Sequence, residues 1–312
     1  MFQKLLDTIA RFDRIILHRH NNPDGDALGS QIGLKHILLE NFPGKEVFMV
    51  GDPAGRYAFM EDSVMDELPD EAFAGALSII LDFSATHLIS DSRYTLAAET
   101  ARMDHHLFCG TIAQLEVLDS SCESCCGLIT RMAMEMGLKV NVLAARSLYT
   151  GMVTDSGRFR YDATTAQTFR QAAFLMERSF DLNEIYRDLY SEDLEHLQKR
   201  ASFIGKIRRG KGCVAYIYTT REEAAGLNMS TFAISRGMVS VMADIRGIDI
   251  WVNFTETDAG VLCELRSGKY NINPIAVKYG GGGHAKASGA TVADRATAME
   301  MLRDLEQLQE EA

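Results

Sequence analysis

No stretch of this 312-residue chain holds the roughly 18 consecutive apolar residues needed to cross a bilayer. Its opening, MFQKLLDTIARFD, has the charge pattern of an amphipathic helix rather than a signal peptide, so a cytosolic protein with no membrane partner is expected. Cysteine is sparse: six residues fit no disulfide ladder in a chain of this length, which suits a reducing compartment. Cys122, Cys125 and Cys126 form the one cluster. Their CxxC spacing has no second pair at zinc-site distance, and SSCESCCGLITRMAMEM reads as a helix capped at Ser120 or Ser121 whose small residues fill an interface. Basic residues are also in deficit, 32 against 43 acidic ones, a formal net charge of -11. With no basic tract interleaved with aromatics, a grip on long nucleic acid through many phosphates is excluded. A small anionic substrate remains open to a local cationic site.

What is present is a 46% hydrophobic chain long enough for two domains. Up to about residue 178 apolar strands at 14–18, 45–50, 77–82 and 115–118 alternate with helical stretches such as 27–41 and 122–136, and further helices follow at 141–152 and 165–178. That alternation predicts an α/β domain with a mostly parallel sheet covered by helices. Residues 181–209 are polar, charged and helical in period, with no strand signal. Beyond them the texture turns β-rich at 212–219, 237–245, 248–256 and 260–267, then a short helix at 272–279, a glycine-rich loop and a charged terminal helix complete a smaller α+β unit. The expected division is a catalytic domain over 1–180, a helical linker over 181–209 and a substrate-binding domain over 210–312.

Metals that favour oxygen and imidazole need clustered carboxylates and histidines, and the first domain supplies them where predicted strands end. HNNPDGDALGS brings His20, Asp24 and Asp26; LSIILDFS ends its apolar run at Asp82; ARMDHHL brings Asp104, His105 and His106; and GMVTDSGRF brings Asp155 just after a helix. Each has a bland alternative taken singly: Asp26 as a helix cap, Asp82 as a turn residue, Asp155 as a cap, and the neighbouring His18 as a half-buried surface histidine. In an open α/β sheet, ligands bind beyond the carboxyl ends of the strands, so four such segments can converge on one place.

The order HNNPDGD, strand-final Asp, DHH, TDSGRF resembles the DHH phosphoesterase superfamily. The later segment ELRSGKYNINPIAVKYGGGGHAKASGA resembles the DHH-associated substrate-binding domain, a combination most similar to the NrnA-type group. The resemblance implies hydrolysis of short oligoribonucleotides and of 3'-phosphoadenosine 5'-phosphate with two manganese ions. It implies one metal on His20, Asp24 and Asp82 and a second on Asp26, Asp82, His105 and Asp155, with Asp82 bridging. Asp104 then orients a histidine, and His106 faces the scissile phosphate as acid or electrostatic stabiliser.

In the second domain four glycines at 280–283 permit close backbone approach to an anion, with His284 and Lys286 as side-chain donors and Arg266 as a planar fork ahead of them. The resemblance assigns substrate binding to Arg266, Gly281, Gly282, Gly283 and His284. Arg236, Ser267 and Lys269 are weaker candidates. If this domain holds a nucleotide's 5'-phosphate while the metals act on the phosphorus at its 3'-oxygen, one geometry serves both substrates and needs a cleft between domains. The expected partners are therefore short oligonucleotides or small phosphorylated nucleotides, and a homodimer is compatible with the sequence. Competing readings are a linear or cyclic dinucleotide phosphodiesterase and, in a different class, a nucleotide-binding sensor without turnover.

Overall fold

The computed structural model describes residues 1–83 and 85–308. The chain divides into two compact units, Met1–Ser191 and Glu192–Ala312. Among the described residues no helix is long and apolar enough to cross a membrane.

The first unit opens with α1 (Phe2–Arg11), whose Phe2, Leu5, Leu6 and Ile9 are buried at helical spacing. It continues through β1 (Arg14–His18), α2 (Gly25–Asn41), β2 (Glu46–Met49), β3 (Leu77–Leu81), β4 (Glu99–Asp104) and β5 (Leu115–Leu118). The helices α3 (Cys125–Met136), α4 (Val142–Asp155), α5 (Ala166–Met176) and α6 (Leu182–Tyr190) complete it. The five strands form one parallel sheet in the order β2-β1-β3-β4-β5. The chain runs outward from β1 to β2 and then resumes at β3 on the other side, so the order reverses between β1 and β3. That switch point is where a crevice opens at the carboxyl edge of such sheets.

β1 and β3 read as continuous apolar runs because both faces of a parallel sheet are covered. The buried core joins Ile15 and Leu17 of β1 and Ile79 of β3 to Leu28 and Ile32 of α2, Leu128 of α3 and Leu148 of α4. Where α2 crosses α4 the helices come close enough that a Cβ on Gly29 would lie 2.5 Å from the Ser147 carbonyl and one on Gly151 3.0 Å from the Gly25 carbonyl, while the latter would also collide with Cys126 Sγ of α3.

The second unit holds α7 (Leu194–Lys206), β6 (Arg208–Arg209), β7 (Val214–Thr219), α8 (Arg221–Gly226), β8 (Ile250–Thr257), β9 (Gly260–Ser267), α9 (Asn273–Lys278), β10 (Gly282–His284), β11 (Ala287–Val292) and α10 (Arg295–Gln307). Its mixed sheet has the order β10-β11-β9-β8-β7-β6, with only β7 and β8 parallel.

Several local expectations need correction. Residues 237–245 are not a strand: a π-helical turn over Ala233–Gly237 leads into a 3-10 turn over Val239–Met242. The parallel pairing of β7 with β8 demands a crossover, and this segment supplies part of it. The Asn253 amide fastens the turn by donating to the Ile234 and Ser235 carbonyls at 2.7 Å each. The helix foreseen from Ser120 or Ser121 starts later, because Asp119 holds both the N–H and the hydroxyl of Ser121 in a turn, and Ser124 becomes the cap by accepting from the Gly127 N–H. Asp155 is the last residue of α4 rather than the first beyond it. The stretch 181–209 ends in the short strand β6. His18 is not at the surface but wholly buried, its ring 3.0 Å from Ser78 Oγ, and burial pushes its pKa down to about 4.

Candidate active site

The turn after β1 begins with a residue that cannot be exposed. Arg19 is fully buried and donates to the carbonyls of His20 and Asp52, while the Asp52 carboxylate accepts from the Asn22 N–H. This brace sets the path of the chain into Asp24, which caps α2 by accepting from the N–H groups of Asp26 and Ala27. Asp26, in the first turn of α2, is buried. Its two oxygens accept from the backbone N–H groups of Cys125 at 2.7 Å and Cys126 at 2.8 Å, at the start of α3. The cysteine cluster thus contributes backbone donors at a helix N-terminus, where negative charge is favoured.

Asp82 follows β3 with φ +50°, in the left-handed region that few side chains other than Asn and Asp visit. The turn aims its carboxylate across the sheet edge. His20 Nε2 lies 3.4 Å from Asp82 Oδ2 and 3.8 Å from Asp24 Oδ1. His105 Nε2 lies 3.5 Å from Asp82 Oδ1, 3.8 Å from Asp26 Oδ2 and 3.4 Å from Asp155 Oδ2. The structure therefore brings together His20, Asp24 and Asp82 in one group and Asp26, His105 and Asp155 in a second, with donor atoms in each within 4.8 Å of one another. His105 couples the second group to Asp82.

Electrostatics divides the acids. Burial and the nearby charges of Asp82 and Asp155 push Asp26 well above the carboxylate range, and burial pushes Asp155 up to about 7. Burial would raise Asp82 as well, but hydrogen bonds and charge from His105 and His20 outweigh it and hold it far below its usual value. Burial opposes protonation of His20 and His105, yet their acidic neighbours win and each rises to about 10. The cluster thus retains protons where a cation would relieve the same repulsion. A third group joins Asp82, His105 and His106, so the donor set is four carboxylates and three imidazoles, without thiolate, which fits a divalent ion that accepts oxygen and nitrogen.

His106 is oriented differently. Its Nδ1 lies 2.7 Å from Asp104 Oδ1, a carboxylate that is fully buried, and 3.6 Å from Asp82 Oδ1. Asp104 raises the pKa of this half-exposed imidazole. A cavity of about 180 Å³ opens over His20, Asp24, Asp82, Leu88, His106 and Asp155. That space admits several water molecules or a small anion. All eight residues foreseen in this unit adjoin one another, and the sequence reading missed the two buried arginines, Arg19 and Arg102.

In the second unit the strand register sets Trp251, Arg266, Ala287 and His284 side by side across β8, β9, β11 and β10. Directly paired positions project to the same face, so Arg266 and His284 flank the single methyl of Ala287 at roughly 10 Å from strand to strand. Arg266 is held by Glu264 Oε2 at 3.1 Å. The glycines are not a free loop. The Gly280 and Gly281 N–H groups close α9 on the carbonyls of Val277 and Ala276, and Gly282 and Gly283 pair with β11. A Cβ on Gly281 would lie 2.0 Å from the Gly289 carbonyl, and Gly283 adopts φ +132°, so close packing and backbone conformation both require glycine.

The family model described as DHH family, N-terminal domain, matches residues 14–152, and that of the DHHA1 domain matches residues 195–311. The bifunctional oligoribonuclease and PAP phosphatase NrnA of Bacillus subtilis (strain 168) is 34% identical over 311 residues, covering 99% of this chain and 98% of that protein. The probable bifunctional oligoribonuclease and PAP phosphatase NrnA of Streptococcus mutans is 33% identical, covering 98% of each chain. In structure, an exopolyphosphatase-related protein from Bacteroides fragilis superposes with a TM-score of 0.81 at 25% identity, over 99% of this chain and 95% of that one.

Proposed function

The chain belongs to the DHH family and carries a DHHA1 domain, and from that premise we propose that this phosphate-ester hydrolase cleaves short oligoribonucleotides to 5'-mononucleotides and removes the 3'-phosphate of 3'-phosphoadenosine 5'-phosphate in the cytosol. The observation that carries the reading is the meeting of four separate segments, through His20, Asp82, His105 and Asp155, at the switch point of the sheet.

Two manganese ions are the cofactor we propose, one on His20, Asp24 and Asp82 and the other on Asp26, Asp82, His105 and Asp155. When bound, such ions supply Lewis acidity toward a phosphoryl oxygen and lower the pKa of water. The residues do the rest. The α3 N-terminus fixes Asp26, and the left-handed turn at Asp82 points one carboxylate at both groups of donors. With its Nδ1 engaged by Asp104, His106 has Nε2 left to donate to a phosphoryl oxygen as charge develops or to protonate the leaving oxygen. In the second unit Arg266, His284 and the segment of Gly281, Gly282 and Gly283 hold the nucleotide's phosphate, the guanidinium as a fork.

The test is turnover with manganese on di- to pentaribonucleotides, cyclic dinucleotides and 3'-phosphoadenosine 5'-phosphate, run in competition and with Asp82→Ala and His105→Ala beside the unaltered protein. Preference for linear short RNA and the 3'-phosphate, abolished by either substitution, is expected. Binding without turnover would identify a sensor, and a preference for cyclic dinucleotides would reassign the substrate. In isotopically labelled water, the label should be found on the remaining chain; label in the first-released mononucleotide would refute the assigned bond.

A further inference from the structure

Arg102 and Asp104 occupy alternate positions of β4 and so project to the same face of the sheet, where both are fully buried. Asp104 Oδ1 gathers three donors: the Phe83 N–H at 3.2 Å, the His106 N–H at 3.3 Å and His106 Nδ1 at 2.7 Å. Its other oxygen, Oδ2, receives Arg102 Nη2 at 2.5 Å. The opposite arm of the guanidinium, Nη1, donates to the Gly110 carbonyl at 3.3 Å and lies 3.4 Å from Glu116 Oε2, the residue paired with Arg102 across β4 and β5. Glu116 in turn accepts from the N–H groups of Ile112 and Ala113 at 2.6 and 2.9 Å. One buried guanidinium therefore ties the carboxylate behind His106 to the far end of the loop that carries His106.

A buried ion pair is a costly way to fill a strand, since apolar side chains of similar volume serve stability as well or better. The pair is explained if the carboxylate itself must stay fixed. Without Arg102 the Oδ2 atom loses its charged partner, and rotation about the Cβ–Cγ bond is restrained only from the Oδ1 side, which loosens the His106 ring. Resting on the phosphoesterase reading above, we infer that Arg102 is a positioning residue for the reaction, holding Asp104 so that the His106 ring keeps one orientation at the cavity.

The experiment compares Arg102→Met and Arg102→Lys in the otherwise unaltered chain and in a His106→Ala background. kcat and KM are measured at saturating manganese, manganese alone is titrated by calorimetry, and the His106 ring N–H resonance is followed by NMR in the magnesium-loaded protein. Arg102→Met should lower kcat about 10- to 100-fold through misplacement of one catalytic group. KM and manganese affinity should stay within about twofold, the ring N–H signal should be lost to exchange, and no further loss should appear on His106→Ala. Arg102→Lys keeps the charge without the fork, so kcat falls severalfold and the resonance shifts. That variant carries the test if Arg102→Met does not fold. An unchanged resonance, a loss that multiplies on His106→Ala, or a fall in manganese affinity in step with kcat would overturn the inference. Absence of turnover by the unaltered protein on every phosphoester would instead remove the functional reading, while the resonance would still decide whether Arg102 orients the ring.

Discussion

Asp82 combines a demanding backbone with a demanding side chain. Its φ of +50° suits Asn almost as well as Asp, whereas a side chain that cannot bond locally costs roughly 1–2 kcal/mol there. Asp82→Asn should therefore keep the turn but lose manganese affinity and at least about 100-fold in kcat, since it removes an anion facing two imidazoles. Asp82→Ala should lose about 1 kcal/mol of stability as well, read from urea midpoints. At this scale the site was largely legible in the sequence, because carboxylates and histidines after strands have a recognisable chemistry. Arg19 and Arg102 were not legible. An arginine in sequence looks solvated, and only tertiary structure reveals that Arg102 has a buried acid two residues away on the same strand face.

Among elements, the crossing of α2 and α4 fixes how far Asp26 stands from Asp155. Gly29 and Gly151 permit that approach, with Cys126 filling the remaining space. Gly151→Ala should cost about 1–3 kcal/mol by overpacking and weaken manganese binding, because its Cβ would collide with Cys126 of α3, whose N–H fixes Asp26, and crowd the Gly25 carbonyl of α2. Gly281→Ala acts elsewhere: its Cβ would collide with the Gly289 carbonyl, so KM for short oligonucleotides should rise while the manganese titration is unchanged. The parallel-sheet strands at 14–18 and 77–82 were readable from their unbroken apolar runs. The strand Glu99–Asp104 was not, because ETARMD alternates polar residues that the sheet nevertheless buries. Residues 237–245 misled in the opposite sense, since the crossover between β7 and β8 overrides their β-branched content.

For the molecule as a whole, an acidic site in an acidic chain should make stability depend on the ions it binds. Manganese at about 100 times its Kd should add about 2.7 kcal/mol, on the order of 5–10 °C in the melting of the first unit, and chelation should reverse it. Hydrogen exchange should localise the gain to the segments around Asp26, Asp82 and His105. Acid acts through other groups. Burial would raise Asp62, Asp91 and Asp304, but Lys35 with His36, Arg93, and Lys278 with Tyr279 respectively hold them below the usual carboxylate range. Unfolded carboxylates titrate near ~3.9, so this stabilisation is complete above that value and is lost as pH falls through the lower folded values. The gap in urea midpoint between the unaltered protein and Asp62→Asn should therefore be constant above about pH 5 and close as pH falls below about 4. In the second unit, Ala287 leaves a notch between a guanidinium and an imidazole. A bulky residue there would level the notch without disturbing the strands, so the size of that one side chain offers a mark for sorting family members that keep the proposed anion seat from those that have abandoned it.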